Sequence, residues 1–514
     1  MHQHETSYDV YNVIQRVAKQ ISFVETIVAT NRISDAAHIS RRSRPLAARV
    51  PPALAWRSMH AMLRAAVPQQ PRQPSAHVTR TRRRRCTRPL RAFAGPSAAE
   101  VAAEERLTAW CADAGVWQGA PALAVHRFPI PGGGAYRGLR ATRDVAAGEL
   151  VASIPLSLCI HSQTEADWPH PGATATARLA ARLLQEEAAG QSSRMQPWLD
   201  VLPRDMAQLG LFGAPAAVLA EATQQYAPIL RLRAQTEATD AVAAAPTLAA
   251  VGGAASAAAL TWANVMVRTR AFELGHSAGG ACILAFVPWL DMMNHAHQDA
   301  HLEWAWSADS GCMEVVATRA VRSGEEATIS YGTRDNDGFL LWGGFVSQED
   351  NAADTVEAFD SLADVAAWWC EAGIGAALAG REQSSLTAAQ AAQLVAEVDA
   401  AARAEAAAAA AAGGEREPLK TAVHIGAGWQ VDERLVELLE ALASREEGIS
   451  AALAERAAVA AVRLRAAQLL SAWPTSAEED QQLLSKGGMT HHEALCVQFR
   501  AAKKRLLASY LLQE

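Results

Sequence analysis

The sequence predicts an α+β chain: a small, curved antiparallel β-region split by a helical insert, followed by an all-α C-terminal domain. Three observations predict it. Short apolar runs bounded by Gly- and Pro-containing turns cluster at 123–154 and return at 282–331. The residues between, 172–276, carry helical rather than alternating patterns. From about Asp360 onward the pattern is helical again and carries little obvious chemistry.

Each element follows from local signals. Glu100 to Val116 reads as a helix that ends near Gly115 and Gly119. Leu123 to Phe128, Gly138 to Arg143 and Leu150 to Ile154 read as strands. They are separated by the Pro-Gly-Gly-Gly turn at 131–134 and the Asp144 to Gly148 turn. Helices are expected over Thr174 to Glu187, Pro215 to Thr236 and Thr261 to Phe272, with loop or frayed helix at 241–259. Strands resume at Cys282 to Val287, Met313 to Thr318 and Ala327 to Tyr331. The Ala-rich run at 400–412 suits a surface helix or loop. Ser476 with Glu479, just after Pro474, forms a capping box for a helix through Leu484.

Composition narrows the function classes. The 514 residues allow two to four domains at about 100–200 residues each. A formal net charge of -7 argues against a dedicated nucleic-acid binder. No long uncharged apolar run argues for a membrane span. The seven cysteines include no CxxC pair, which disfavours a zinc ribbon or a disulfide scaffold.

The net charge hides an asymmetry. Ala36 to Ser97 contains 14 arginines and no Asp, Glu or Lys, densest at Arg80-Thr-Arg-Arg-Arg-Arg-Cys-Thr-Arg88. Such a stretch buries too little to fold alone and has the composition of an organelle transit segment. The competing reading is a nuclear-localisation or RNA-binding arm. Residues 1–58 then form an extension of uncertain standing and 59–96 the transit-like segment. The β-region spans 97–350, with its insert at about 160–276, and the helical domain 351–514.

Four motifs carry the chemistry. The first is Gly132-Gly-Gly-Ala135-Tyr136-Arg137-Gly138, where glycines let backbone approach a ligand. Alone it is an ordinary hairpin turn. The second is Thr269-Arg270-Ala271-Phe272, whose Arg offers a rigid fork of donors for a carboxylate or a plain salt bridge. The third is Val287-Pro-Trp-Leu-Asp291-Met-Met-Asn294-His295, an apolar strand running into a compact polar cluster. The fourth is Glu325-Glu-Ala-Thr-Ile-Ser-Tyr331-Gly332-Thr-Arg-Asp-Asn336, followed by Leu341-Trp-Gly343-Gly344-Phe345. A phenol at a strand end can orient a nucleophile or simply fill core. His295, His297, Asp299 and His301 also invite a metal reading. Ala300 breaks the spacing that a binuclear zinc hydrolase needs, so no metal is expected.

Together, in this order, the four pieces resemble a SET-domain protein methyltransferase of the Rubisco large-subunit lysine methyltransferase-like group. The resemblance covers about residues 100–510 and includes Pro474-Thr-Ser-Ala-Glu-Glu-Asp480-Gln-Gln-Leu-Leu in the helical part. It implies a SET β-fold and a helical substrate-binding domain. It also implies S-adenosylmethionine as cofactor, held by Ala135, Tyr136 and Arg137, by Arg270 at its carboxylate, and by Asn294 and His295 at its amino-acid end. Gly343, Gly344 and Phe345 would close the site. Tyr331 would be catalytic, and Arg270, Phe272, Asp291 and Tyr331 would face the acceptor.

The resemblance further implies a monomer acting on a protein lysine in the chloroplast stroma, with cytoplasm or nucleus as alternatives. Rubisco large subunit and plastid aldolase are the substrate candidates, with neither nucleic acid nor membrane as partner. Two departures matter. Trp342-Gly343-Gly344-Phe345 stands where lysine-methylating members have Asp-Tyr-Gly-Phe. Tyr331-Gly-Thr-Arg-Asp-Asn336 is also similar to the actin-histidine methyltransferase, which carries an Asn where this chain has Phe272. A phenyl ring cannot hydrogen-bond an imidazole nitrogen, which favours lysine. Histidine methylation and a catalytically silent protein-binding module are the alternatives.

Overall fold

The computed structural model describes residues 96–512 apart from 130–134, 163–167, 169–172, 205–210, 212–215, 253–254, 277–281, 298, 348–350 and 412–419. The N-terminal extension, nearly all of the transit-like segment and the Gly turn at 131–134 lie outside the described residues. The chain divides into two compact units, one including Thr87–Ala353 and Glu478–Ala501, the other Asp354–Ala477 and Ala502–Glu514.

The first unit opens on a helix, Ala98–Asp113, started by a Ser97–Glu100 capping box. Strands β1 (Leu123–Pro129), β2 (Ala135–Ala141), β3 (Leu150–Pro155) and β4 (Ile160–His161) follow. The insert supplies helices Ala175–Ala189, Ala216–Ala222, Ala227–Ala250 and Ala257–Arg270. After it come β5 (Ala271–His276), β6 (Cys282–Phe286), β7 (Asn294–His295), β8 (Leu302–Ser307), β9 (Cys312–Ala317) and β10 (Glu326–Ile329). The main sheet runs β1-β2-β10-β8-β9-β3, with β7 also paired to β10. A second sheet has the order β4-β6-β5. Strands from before and after the insert therefore interleave. The core beneath them includes Leu139, Ile154, Trp198, Phe286, Trp289 and Ile329, all essentially fully buried.

Three sequence expectations need correction here. The predicted helix Thr261 to Phe272 ends at Arg270, and Phe272 belongs to β5. There it pairs with Ala285 and is buried, so cross-strand pairing outweighs helical pattern. The single helix expected over Pro215 to Thr236 breaks at Gln224 and Gln225, which take positive φ of 54° and 62°. Arg500 caps the preceding helix by donating to the Ala222 carbonyl at 2.7 Å. The stretch expected as loop or frayed helix is ordered to Ala250 and again from Ala257. Thr247 is buried there, its hydroxyl donating to the Ala243 carbonyl of the preceding turn at 2.8 Å with the Ala177 carbonyl 3.4 Å away.

The second unit is mainly helical, with Leu362–Glu371, Ile374–Ala379, Ala388–Ala411, Glu433–Arg445 and Ala451–Ser471. It also holds one two-stranded antiparallel sheet, β11 (Thr355–Phe359) with β12 (Val423–Gly426), that the helical reading overlooked. Tyr510 pins β12 by donating to the Gly426 carbonyl at 2.6 Å. Among the described residues no helix is long and apolar enough to cross a membrane.

Candidate active site

The site is made by strand register. β10 lies between β2 and β7, pairing Glu326 with Arg140 on one side and Thr328 with Asn294 on the other. Motifs almost 200 residues apart thereby become neighbours. Asn294 Nδ2 donates to the Arg137 carbonyl at 2.9 Å and to Glu326 Oε1 at 2.7 Å. Tyr136 donates its hydroxyl to Glu326 Oε2 at 2.7 Å, and that bond and burial raise its pKa. The crossing leaves no room above Gly138. A Cβ there would lie 2.5 Å from Glu326 Oε1 and 2.6 Å from Asn294 Nδ2. Glycine is thus required for close approach rather than for its φ.

Arg270 is the last residue of its helix and points back to the turn after β6. Its Nη1 donates to the Asp291 carbonyl at 2.9 Å and to Asp291 Oδ2 at 3.1 Å. Trp198 Nε1 donates to the same Oδ2 at 3.2 Å. Arg270 Nε and Asp291 Oδ1 are buried without a hydrogen-bond partner. Such atoms are costly unless something else satisfies them. Arg137 Nη1 donates to the Val201 carbonyl at 2.9 Å, and Glu104 lies 3.7 Å away. Burial, then the like charge of Arg270, lowers the Arg137 pKa to about 10, so it stays cationic at neutral pH.

His295 and Tyr331 interlock. Tyr331 N–H donates to His295 Nδ1 at 3.0 Å. Nδ1 is therefore an acceptor, the ring proton sits on Nε2, and Nε2 donates to His297 Nδ1 at 3.1 Å. Burial, then His297 and Arg334, hold the His295 pKa down at about 4, so the ring is neutral at pH 7. Tyr331 donates its hydroxyl to the Met293 carbonyl at 2.5 Å, and burial pushes its pKa up to about 12. Phe345 packs 4.9 Å from Phe339 and 6.3 Å from Tyr331, centroid to centroid. Gly343 leaves space for that ring, since a Cβ would sit 2.8 Å from it. Gly344 takes the left-handed turn, φ +73°.

Tyr136, Arg137 and Asn294 meet through Glu326. Arg270 and Asp291 meet over Trp198, and His295, Tyr331 and Phe345 share one aromatic cluster. Ala135 is exposed at the start of β2, opposite Pro129. Phe272 packs edge-on against Trp304 at 5.1 Å. The Asp291 carboxylate, read as facing the acceptor, is buried on Arg270 and Trp198. Sequence reasoning missed Glu326, Trp198, Met293 and Phe339 as site residues and weighed His297 only for a metal. Glu326 stands in the fourth motif, one residue before the strand expected from Ala327, and the structure takes it into that strand. Trp198 gives no local signal, because its partner lies 93 residues away. Of the four residues weighed for metal, His301 contacts Thr328 Oγ1 at 3.0 Å and Asp299 pairs with Arg319 at 2.6 Å. Among the described residues, no group of three or more His, Cys, Asp or Glu is placed to hold a metal ion.

The chain is similar to known proteins in both of its parts. The SET-domain family model matches residues 136–332, and the Rubisco LSMT substrate-binding model matches 430–507. Among curated proteins, the chain is 29% identical over 272 residues to an actin-histidine N-methyltransferase of Drosophila melanogaster, covering 48% of this chain and 49% of that protein. It is 28% identical over 242 residues to SET domain-containing protein 4 of Homo sapiens, covering 42% and 53%. The chain thus spans about half the length of the curated relatives it matches. A crystal structure of the SET domain of LSMT bound to lysine and AdoHcy aligns with TM-score 0.52 at 16% identity, over 80% of this chain and 90% of that one. A structure of Rubisco LSMT bound to AdoMet aligns similarly, with TM-score 0.52 at 15% identity, over 79% and 90%. Residues 136–332 are a SET domain, and residues 430–507 are a Rubisco LSMT-type substrate-binding domain.

Proposed function

We propose that the chain is an S-adenosylmethionine-dependent protein N-methyltransferase whose acceptor is a lysine. The observation that carries the reading is the polar set around β10. A buried Arg270 Nε is left to be satisfied, Asn294 has its acceptor oxygen unused by either amide bond, and a neutral phenol stands at the end of the same strand. The donor set fits an amino-acid moiety: Arg270 suits its carboxylate and Asn294 Oδ1 its ammonium. When bound, the cofactor supplies an electrophilic methyl group on a sulfonium.

The residues present would do the rest. Tyr331 gives its proton to the Met293 carbonyl, so the phenolic oxygen keeps its lone pairs and accepts an N–H from the incoming amine. With a pKa of about 12, the phenol orients the amine without ionising. A free lysine has a pKa of about 10.4 and must lose a proton before attack. Burial beside Tyr331, and positive charge nearby, lower that value and release the proton to water. His295 stays neutral and uses Nδ1 to fix the Tyr331 backbone. Positioning and a preorganised polar site would then supply the rate.

Phe272 supports lysine, since its ring offers no hydrogen bond to an imidazole acceptor. The second reading is a histidine acceptor, favoured by the names of the curated relatives. For destination, the acid-free arginine-rich stretch 36–97 supports an organelle, and the resemblance to the Rubisco large-subunit methyltransferase group makes that organelle the plastid, with stromal proteins such as Rubisco large subunit or aldolase as substrates.

The test is transfer of a radiolabelled methyl group by the purified chain, with stromal and cytosolic extracts side by side and Tyr331→Phe as control. A labelled stromal band that vanishes with Tyr331→Phe, and carries methyl-lysine by mass spectrometry, is expected. Methyl-histidine would replace the lysine reading. Label in the cytosolic extract alone would remove the plastid reading. A folded chain that binds no S-adenosylmethionine would overturn the function.

A further inference from the structure

Glu326 sits where three strands meet, and neither sequence motif nor family match singles it out. Its two oxygens are used differently. Oε1 accepts from Asn294 Nδ2 at 2.7 Å, and Oε2 accepts from the Tyr136 hydroxyl at 2.7 Å. One carboxylate on β10 therefore ties β2 to β7.

The consequence falls on the Asn294 amide. A primary amide has two donor hydrogens on nitrogen and an accepting oxygen. Here Nδ2 spends both hydrogens, one on Glu326 and one on the Arg137 carbonyl. Turning the amide over would set Oδ1 against two other acceptors, one of them anionic. That arrangement has no hydrogen to share and is repulsive. The Gly138 contact distances show how tightly the arrangement is packed.

We propose that Glu326 is a positioning residue: by holding the Asn294 amide in one orientation, with Tyr136 as its second anchor, it reserves Asn294 Oδ1 as the site's acceptor for an ammonium group. The proposal rests on the reading of the site as an S-adenosylmethionine site. It gives that site a selectivity for a cofactor bearing a free α-ammonium. A glutamine at this position can keep its carbonyl on Asn294 and turn its NH2 to the Tyr136 oxygen, which accepts it. It replaces the anionic acceptor of the Asn294 amide with a neutral one and so holds the amide less firmly.

The experiment compares wild type, Glu326→Gln and Tyr136→Phe in calorimetric binding of S-adenosylhomocysteine and of its analogue lacking the α-amino group. Kinetics with S-adenosylmethionine run alongside. Glu326→Gln is expected to weaken S-adenosylhomocysteine binding about fivefold, the difference between a hydrogen bond to a charged and to a neutral acceptor. It should raise KM for S-adenosylmethionine similarly and leave kcat within about twofold, as expected for uniform binding. Tyr136→Phe should show a smaller change in the same direction, because the Asn294 bond survives. The deaminated analogue should bind wild type and Glu326→Gln alike. Equal weakening of both ligands would assign Glu326 a merely structural role and overturn the proposal, as would unchanged S-adenosylhomocysteine binding. Should wild type bind neither ligand, the cofactor reading itself fails, an outcome separable from the others.

Discussion

Among the described residues one buried carboxylate, Asp291 in the SET unit, keeps an unmatched oxygen, and Glu446 in the helical unit is its contrast. In the helical unit, Glu446 is almost fully buried, yet both oxygens are occupied. Oε1 accepts from the Ser384 hydroxyl, and Oε2 accepts from Ser385 N at 2.9 Å and Ser385 Oγ at 2.7 Å. Asp354 likewise pairs with a wholly buried Lys503 at 2.7 Å, and Lys503 also donates to the Thr355 carbonyl. In the SET unit, Asp291 and Arg270 pair through one oxygen and one nitrogen and leave Oδ1 and Nε unmatched. A closed network gives rigidity, whereas an open one holds back bonding capacity at a cost in stability. The comparison sets a fully matched carboxylate, Glu446, against one, Asp291, that keeps bonding capacity.

The largest expected effect lies on the open side. Tyr331→Phe removes the phenolic oxygen that would orient the amine, and methyl transfer should fall at least about a hundredfold. The melting temperature, read by scanning fluorimetry, should move little. Equal loss of activity and folding would make Tyr331 a packing residue and dissolve the contrast.

Glu446→Ala probes the closed side. It strands the Ser384 and Ser385 donors, and unfolding by denaturant should show a loss of about 2 kcal/mol. KM for S-adenosylmethionine should not change. An altered KM with unchanged stability would mean that the helical unit takes part in the chemistry.

Arg270→Lys keeps the charge beside Asp291 but removes the planar fork. Cofactor KM should rise about tenfold, equivalent to about 1.4 kcal/mol, as measured by steady-state methyl transfer. A variant indistinguishable from wild type would show that the unmatched Nε is not reserved for a ligand.

The smallest effect is a pH dependence. Burial holds His295 near a pKa of about 4, below the ordinary 6.5. As pH falls through 6.5 the unfolded chain takes up a proton that the folded chain refuses. Stability from this group is therefore complete above 6.5 and is lost between 6.5 and about 4. Protonation at Nδ1 also breaks the bond from Tyr331 N–H, so activity should fall as pH approaches 4. The melting temperature of wild type should drop more across that window than that of His295→Gln. Parallel curves for the two proteins would remove the assigned protonation state.

The sequence alone carried the order of elements. Short apolar runs bounded by turn residues mark β1, β3, β6, β9 and β10, and each strand's own pattern is enough for that. It also singled out Arg270 at a helix end, and Asn294, His295 and Tyr331 beyond apolar strands, one motif at a time. Only the tertiary structure decided what those residues touch. Glu326 stands just outside the strand expected from Ala327 until β10 takes it in beside β2 and β7, and Trp198 carries no signal until its indole N–H meets Asp291. Phe272 follows a helical pattern until β6 pairs with it. Local pattern is set by neighbours a few positions away, whereas strand register and hydrogen-bond partners are set by contacts across the insert. A linear sequence records no distance between residues 136 and 326, so the carboxylate that joins them became legible only once the sheet had closed.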